Sequence, residues 1–155
     1  MVVKDFMIKD VICANLDMTL KDLLEKMIEC KIGGMPIVDS EHKLVGMVSD
    51  GDILRHLAPQ KQSIHDYFTM ITYIPERKLD STVSERIHES VETILTNKKI
   101  ITLAPDDDLN EVVSTISKHH FKKIPVIDRE NRVIGVISRG DVLRMIYKGI
   151  ILNSD

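Results

Sequence analysis

Residues 44–55 read LVGMVSDGDILR and return at 133–144 as VIGVISRGDVLR, and the offset of 89 between them holds far beyond these stretches. It carries Asp17 to Asp106, Leu20 to Leu109, Pro36 to Pro125, Asp39 to Asp128, Glu41 to Glu130, Gly46 to Gly135, Ser49 to Ser138, Asp52 to Asp141 and Arg55 to Arg144. No gap interrupts the register. Such persistence marks two copies of one supersecondary unit, and restricts the chain to folds that pair two like halves.

Within a copy the elements can be read from periodicity. Short β-branched runs, Val11-Ile12 within Ile8–Cys13 and Ile100-Ile101 within Lys99–Leu103, predict a brief buried strand. A helix follows in each copy. Leu20, Leu23, Leu24, Met27 and Ile28 fall at helical spacing behind Thr19-x-x-Asp22, and Leu109, Val112, Val113 and Ile116 do so behind Asp108-x-x-Glu111, the better capping box by composition. Apolar runs at 35–39 and 44–48 bracket the polar turn 40–43, and those at 124–128 and 133–137 bracket 129–132, so each pair predicts a hairpin. The apolar run ending in Ser-x-Gly-Asp then turns into a second helix. One unit is therefore βαββα, an α+β arrangement whose sheet keeps an apolar face until the other copy covers it.

Composition bounds the partners. The chain has 155 residues, 43% hydrophobic, enough for a core. With 29% charged residues and a net charge of −3, no basic nucleic-acid face stands out. No apolar run approaches the roughly 20 residues that span a bilayer, and MVVKDFMIKD lacks the apolar stretch of a secretory leader, so a cytoplasmic protein without membrane contact is expected. Cys13 and Cys30 form no C-x-x-C pair and read as small buried hydrophobes in a reducing compartment. Of the six histidines only His119-His120 are adjacent, and adjacent helical residues face different sides, so no metal site is expected. Met47 stands where a nucleophile elbow needs glycine, and neither a Walker loop nor G-x-G-x-x-G occurs, which argues against hydrolase and dinucleotide chemistry.

The Ser-x-x-Asp corner has two readings. As local structure, the serine is a helix N-cap and the aspartate its N3 partner. As a site, the same corner offers a hydroxyl, free backbone amides and a carboxylate at a helix N-terminus, which suits a phosphate beside a ribose.

The βαββα order, the strands MPIVD and IPVID, and the segments GMVSDGDILR and GVISRGDVLR together resemble the tandem CBS-domain pair, the cystathionine β-synthase or Bateman module. The resemblance covers Val3–Leu57 and Val91–Tyr147. It implies two repeats, 1–57 and 91–155, packed with pseudo-two-fold symmetry into a disc-like module and joined by a connection over 58–90. In that connection Tyr67, Phe68 and Tyr73 suggest an ordered strap packed on the module, followed by a helix over roughly 81–95.

What the resemblance implies is sensing without catalysis: a stand-alone regulatory module with an adenosine ligand such as AMP, ADP, ATP or S-adenosylmethionine in clefts shared by the repeats. One cleft would combine Ser49 and Asp52 with Thr96, Ile101, Phe121, Lys122, Lys123, Ile124 and Pro125. The other would combine Ser138, Arg139 and Asp141 with Ile12, Gly34, Met35 and Pro36. Lys122-Lys123 favour phosphates in the first, where Gly33-Gly34 stand in the other copy; Asp50 subtracts from the first and Arg139 adds to the second, leaving a narrow edge to the first. The other reading is a structural dimerisation or protein-interaction module with vestigial clefts. A homodimer paired through the second helices is expected, with an unidentified effector protein as a further partner.

Overall fold

In the computed structural model of the chain the described residues are 1–59, 61, 63–67, 70–95, 99–119 and 121–151. The first copy contributes β1 (Ala14–Asn15), α1 (Leu20–Cys30), β2 (Gly34–Val38), β3 (Leu44–Ser49) and α2 (Asp50–Leu57). The connection holds β4 (Ser63–Tyr67), β5 (Met70–Ile74) and α3 (Leu79–Arg86). The second copy contributes α4 (Leu109–Lys118), β6 (Lys123–Ile127), β7 (Val133–Ser138) and α5 (Arg139–Ile146). Short 3-10 turns at Val3–Asp5 and Val91–Ile94 precede the copies, and a π-helical turn closes Tyr147–Ile151. The α+β class is as the pattern predicts.

The leading strands are shorter and later than the β-branched runs suggest. Ala14 and Asn15 pair in parallel with Ile37 and Val38, and 89 residues on Leu103 makes a single parallel bridge to Val126. Val11, Cys13 and Ile100 instead place their side chains against the cluster of Val38, Leu44 and Val133. Burial of these side chains, rather than a longer ladder, satisfies the apolar runs. The capping boxes also reverse the expectation. At α1 the exchange between Thr19 and Asp22 is reciprocal, whereas at α4 the contact is Asp108 accepting the Glu111 amide.

By contacts the chain falls into two compact units that cut across the repeats: 1–16, 34–48 and 95–155 form one, and 17–33 with 49–94 the other. In the first unit the hairpin turns are built alike. Asp39 Oδ1 accepts from the amides of Glu41 and Lys43, and Asp128 Oδ1 from those of Glu130 and Arg132, each at 2.9 Å. Each turn needs one residue at positive φ, His42 at 63° and Asn131 at 64°. The turns then meet about a local two-fold: the Leu44 amide donates to Asn131 O at 2.9 Å, and the Val133 amide to His42 O at 3.3 Å. Side chains repeat the exchange, Asn131 Nδ2 to Leu44 O at 3.2 Å and His42 Nε2 to Val133 O at 3.1 Å. A carbonyl only accepts, so His42 carries its proton on Nε2.

The core of this unit is Leu103, Leu109, Val112, Ile124, Val126, Ile137 and Val142, joined by Val3 from the far N-terminus. Val3 is held there because its amide donates to Asp107 O and the Leu109 amide to Met1 O, at 2.9 and 3.3 Å.

In the second unit the mirror arrangement appears. The Val91 amide donates to Met18 O at 2.8 Å, and the Leu20 amide to Glu89 O at 2.9 Å. Here the helix expected over 81–95 breaks: α3 stops at Arg86, because the carbonyls of Ile87 and Glu89 turn to the orphan amides of Lys21 and Leu20 at the start of α1. Leu20, Leu23, Met27, Ile53, Leu57, Val91 and Ile94 are buried. The antiparallel β4–β5 hairpin has no counterpart in the sequence reading. Of the aromatics expected to pack as a strap, Tyr73 is 58% exposed, beside the exposed Ile64 and Ile71; Phe68 and the Tyr67 side chain lie outside the described residues.

Candidate functional site

The two Ser-x-x-Asp corners are superposable in chemistry. Ser49 leaves β3 extended, with φ −124° and ψ 164°, and opens α2; Ser138 does the same between β7 and α5 at −104° and 164°. Asp52 Oδ2 accepts from the Ser49 amide at 2.8 Å and hydroxyl at 2.9 Å, and the Asp52 amide donates back to Ser49 Oγ at 3.3 Å. Asp141 repeats this with Ser138 at 2.8, 2.6 and 3.3 Å. The remaining oxygen, Oδ1, faces an arginine one helical turn on: Arg55 for Asp52 at 2.7 Å, and Arg144 for Asp141.

The reading as an N-cap therefore holds in full, and it leaves chemistry to spare. A carboxylate has about four acceptor sites, and the cap and arginine use three contacts. Desolvation pushes both carboxyls up. The serine amides and hydroxyls, then the arginines, outweigh it and hold Asp52 and Asp141 below the ordinary aspartate range. Asp141 stays charged although only 7% exposed.

The set Ser138, Arg139, Asp141, Ile12, Gly34, Met35 and Pro36 lies wholly in the first unit. Lys123 links its parts: it pairs with Ser138 across β6–β7, and its Nζ reaches Gly34 O at 3.4 Å. A lysine that the sequence comparison assigns to the other cleft thus stands between the start of β2 and the start of α5. Met35 and Pro36 are buried and Ile12 is half-buried. Arg139 is exposed and tied elsewhere, its Nε donating to Phe121 O at 2.9 Å and its Nη2 to His119 O at 3.2 Å.

Of the other set, Ile101, Phe121, Lys122, Lys123, Ile124 and Pro125 belong to the first unit and Ser49 and Asp52 to the second; Thr96 lies outside the described residues. Ile124 is buried, and Ile101 packs against the core of the first unit. Phe121 tilts at 35° against the His119 ring, centroids 5.2 Å apart. In the second unit the Asp50 amide donates to Gly33 O at 2.9 Å and its carboxylate takes the Gly51 amide at 2.8 Å.

Sequence reasoning missed two features, the Lys123–Gly34 contact and the ties of Arg139. The second had no local signal: α1 ends on Lys31 in the left-handed region, whose amide donates to Ile28 O and Met27 O, whereas α4 runs into His119 in extended conformation, and neither position holds a glycine or asparagine.

Comparison with known proteins agrees with this architecture. The sequence model of the CBS domain matches residues 3–59 and again 91–148. The uncharacterized protein MJ1426 of Methanocaldococcus jannaschii is 27% identical over 92% of the chain and 89% of its own length. The chloroplastic CBS domain-containing protein CBSX2 of Arabidopsis thaliana is 26% identical over 81% of the chain, which spans 54% of that protein. An L-aspartate semialdehyde sulfurtransferase of M. jannaschii is 26% identical over 92% of the chain, but the chain spans only 23% of it. Among solved structures, CBSX2 in complex with AMP superposes with a TM-score of 0.72 at 23% identity, covering 95% of this chain and 96% of that one. The CBS domain pair of MJ0100, solved with 5′-methylthioadenosine and S-adenosyl-L-methionine, gives 0.67 at 23% identity over 96% and 98%. With two matches covering most of its length, in the same places as the internal repeat, the chain belongs to the CBS domain family.

Proposed function

We propose that the chain is a regulatory, non-catalytic module that binds an adenosine-bearing ligand, AMP, ADP, ATP or S-adenosylmethionine, at the Ser138–Asp141 corner. The observation that carries this is the corner itself. Asp141, nearly buried yet charged, retains acceptor capacity for ribose hydroxyls, the start of α5 offers its dipole, and Arg139 is the first residue of that helix. Ile12, half-buried in the same unit, is the apolar candidate for contact with a base. The same assignment extends to the Ser49–Asp52 corner of the first repeat. The ligands of CBSX2 and MJ0100 support this choice of class.

The reading treats 1–57 and 91–155 as repeats and 58–90 as their connection, in a cytoplasmic homodimer that reports to an effector protein. Thermal shift against AMP, ADP, ATP, NAD and S-adenosylmethionine tests it. A ligand at 100 times its Kd adds about 2.7 kcal/mol of stability, and a flat response to the whole panel sinks the reading.

One observation favours an interaction module instead. α1 and α2 enclose an apolar groove of about 290 Å³ lined by Leu24, Met27, Ile28, Ile32, Ile53, Leu54 and Leu57, with Gly33 and Asp50 at one end. Ile28 and Leu54 are 73% and 70% exposed along it. A flat ligand panel together with a stable dimer would support that role.

A further inference from the structure

Met7 stands over the glycine of β7. A Cβ at Gly135 would run into Met7 Sδ first, with Cγ at 2.9 Å and Cβ at 3.2 Å, so the thioether fills the notch that the missing side chain leaves. In the other copy the equivalent glycine, Gly46, is covered by the Leu95 side chain. The two notches correspond in place and differ in chemistry, because a hydrocarbon is inert to oxygen transfer and a thioether accepts it.

Met7 also closes a strap. Residues 1–8 lie on the second copy through the amides of Val3 and Lys4, which donate to Asp107 O and Pro105 O at 2.9 Å, and through Ile8, which exchanges both backbone bonds with Val136 at 2.9 and 3.0 Å. Met7 packs half-buried against the core that Val3 joins. It is open enough for a small oxidant and packed enough for its polarity to matter. The backbone beside it is already engaged, Gly135 in the ladder with Val126 and Val136 with Ile8. A sulfoxide oxygen would add bulk where sulfur already fills the notch, and would set a strong acceptor among apolar side chains.

We infer that Met7 is an oxidation site that governs the closure of residues 1–8 on the second copy. Hydrogen peroxide is the oxidant: the sulfur lone pair attacks one peroxide oxygen, the O–O bond breaks, the S–O bond of the sulfoxide forms, and the other oxygen leaves as water. Sulfur loses the two electrons that the peroxide gains. The oxidised side chain no longer seats over Gly135, residues 1–8 detach, and the core around Val3 opens to water. This closure is independent of the nucleotide reading.

The test is hydrogen exchange of the peptide covering 1–8, before and after a peroxide dose at which peptide mass spectrometry finds Met1, 53% exposed, fully converted to sulfoxide. Met7 is expected to be oxidised too, with exchange at least about 5-fold faster, the low end of what a buried acceptor without a partner costs, and Tm lower by about 2–4 °C or more. Treatment with methionine sulfoxide reductases and a thiol should restore both. Met7→Leu, which copies Leu95 and nearly keeps the volume, leaves the other methionines and both cysteines in place and should make the strap indifferent to peroxide. Met7→Gln should speed exchange without peroxide; if it melts too low to measure, the comparison with Met7→Leu decides alone. A Met7 that stays a thioether while Met1 is fully oxidised overturns the inference, and so does a Met7→Leu chain whose strap loosens with peroxide as much as the unchanged chain.

Discussion

At the scale of single residues, Asp52 and Asp141 serve both as helix caps and as candidate ribose anchors, and the two roles separate experimentally. Asp141→Ala removes a cap worth about 1 kcal/mol and, on the ligand reading, a charge-assisted bond worth about 1.5–3 kcal/mol of affinity at its own corner. Calorimetry with AMP should show that loss for each variant at one site while the other site persists. A lower melting temperature with unchanged affinity would leave only the cap. The pH dependence follows from the same contacts. Asp52 and Asp141 have folded-state values below the ordinary one, as do Asp22 and Asp128, held mainly by the amides of Thr19 and Arg132. The unfolded chain therefore binds more protons in acid, and the stability these groups contribute is complete above about pH 5, then lost as pH falls below about 4 through the depressed values. Melting curves from pH 7 to 3 should be flat and then drop, and the double change to Asn at 52 and 141 should shrink that drop.

Among the elements, the leading segments of the two repeats are exchanged. Residues 1–7 cover the second copy, where Val3 is 0% exposed, and 89–95 cover the first, where Val91 is 0% exposed. The exchange explains a glycine in β3 and another in β7. A Cβ on Gly135 would overlap Met7 as far in as its own Cβ, 3.2 Å away, while one on Gly46 would meet only the tip of Leu95. Gly135→Ala should cost about 1–3 kcal/mol and Gly46→Ala less, since a leucine tip turns aside where a methionine stem cannot. Val3→Ala and Val91→Ala should each cost about 2 kcal/mol, or several degrees in Tm, by calorimetric melting. A silent Val3→Ala would mean that the N-terminal segment is not part of the folding unit.

For the whole molecule, the repeat offset also governs what remains exposed. Leu54 and Leu143, at equivalent positions of α2 and α5, are 70% and 67% exposed. If two copies pair through these helices, light scattering should return twice 17.6 kDa at tens of micromolar, and Leu54→Glu with Leu143→Glu should halve it. A monomer with and without nucleotide would remove the dimer from the reading.

The 89-residue register was legible because both copies kept the same residues, and the apolar runs of the hairpins and the Ser-x-x-Asp corners because each is set by neighbours within about a dozen residues. The reciprocal box at Thr19 and the boxes at Ser49 and Ser138 are of that kind. What the sequence could not show were contacts between residues far apart along it. The helix expected over 81–95 gave way because carbonyls at 87 and 89 serve the amides of α1, nearly seventy residues earlier. Arg139 reads as a phosphate ligand until the fold sets it against His119 and Phe121, and Lys123 as a partner of one corner until its Nζ meets Gly34 of the other set. Local periodicity determined the elements. Only tertiary structure decided which donor meets which orphan carbonyl, since that depends on where folding leaves an unsatisfied group, and no nearby residue encodes it.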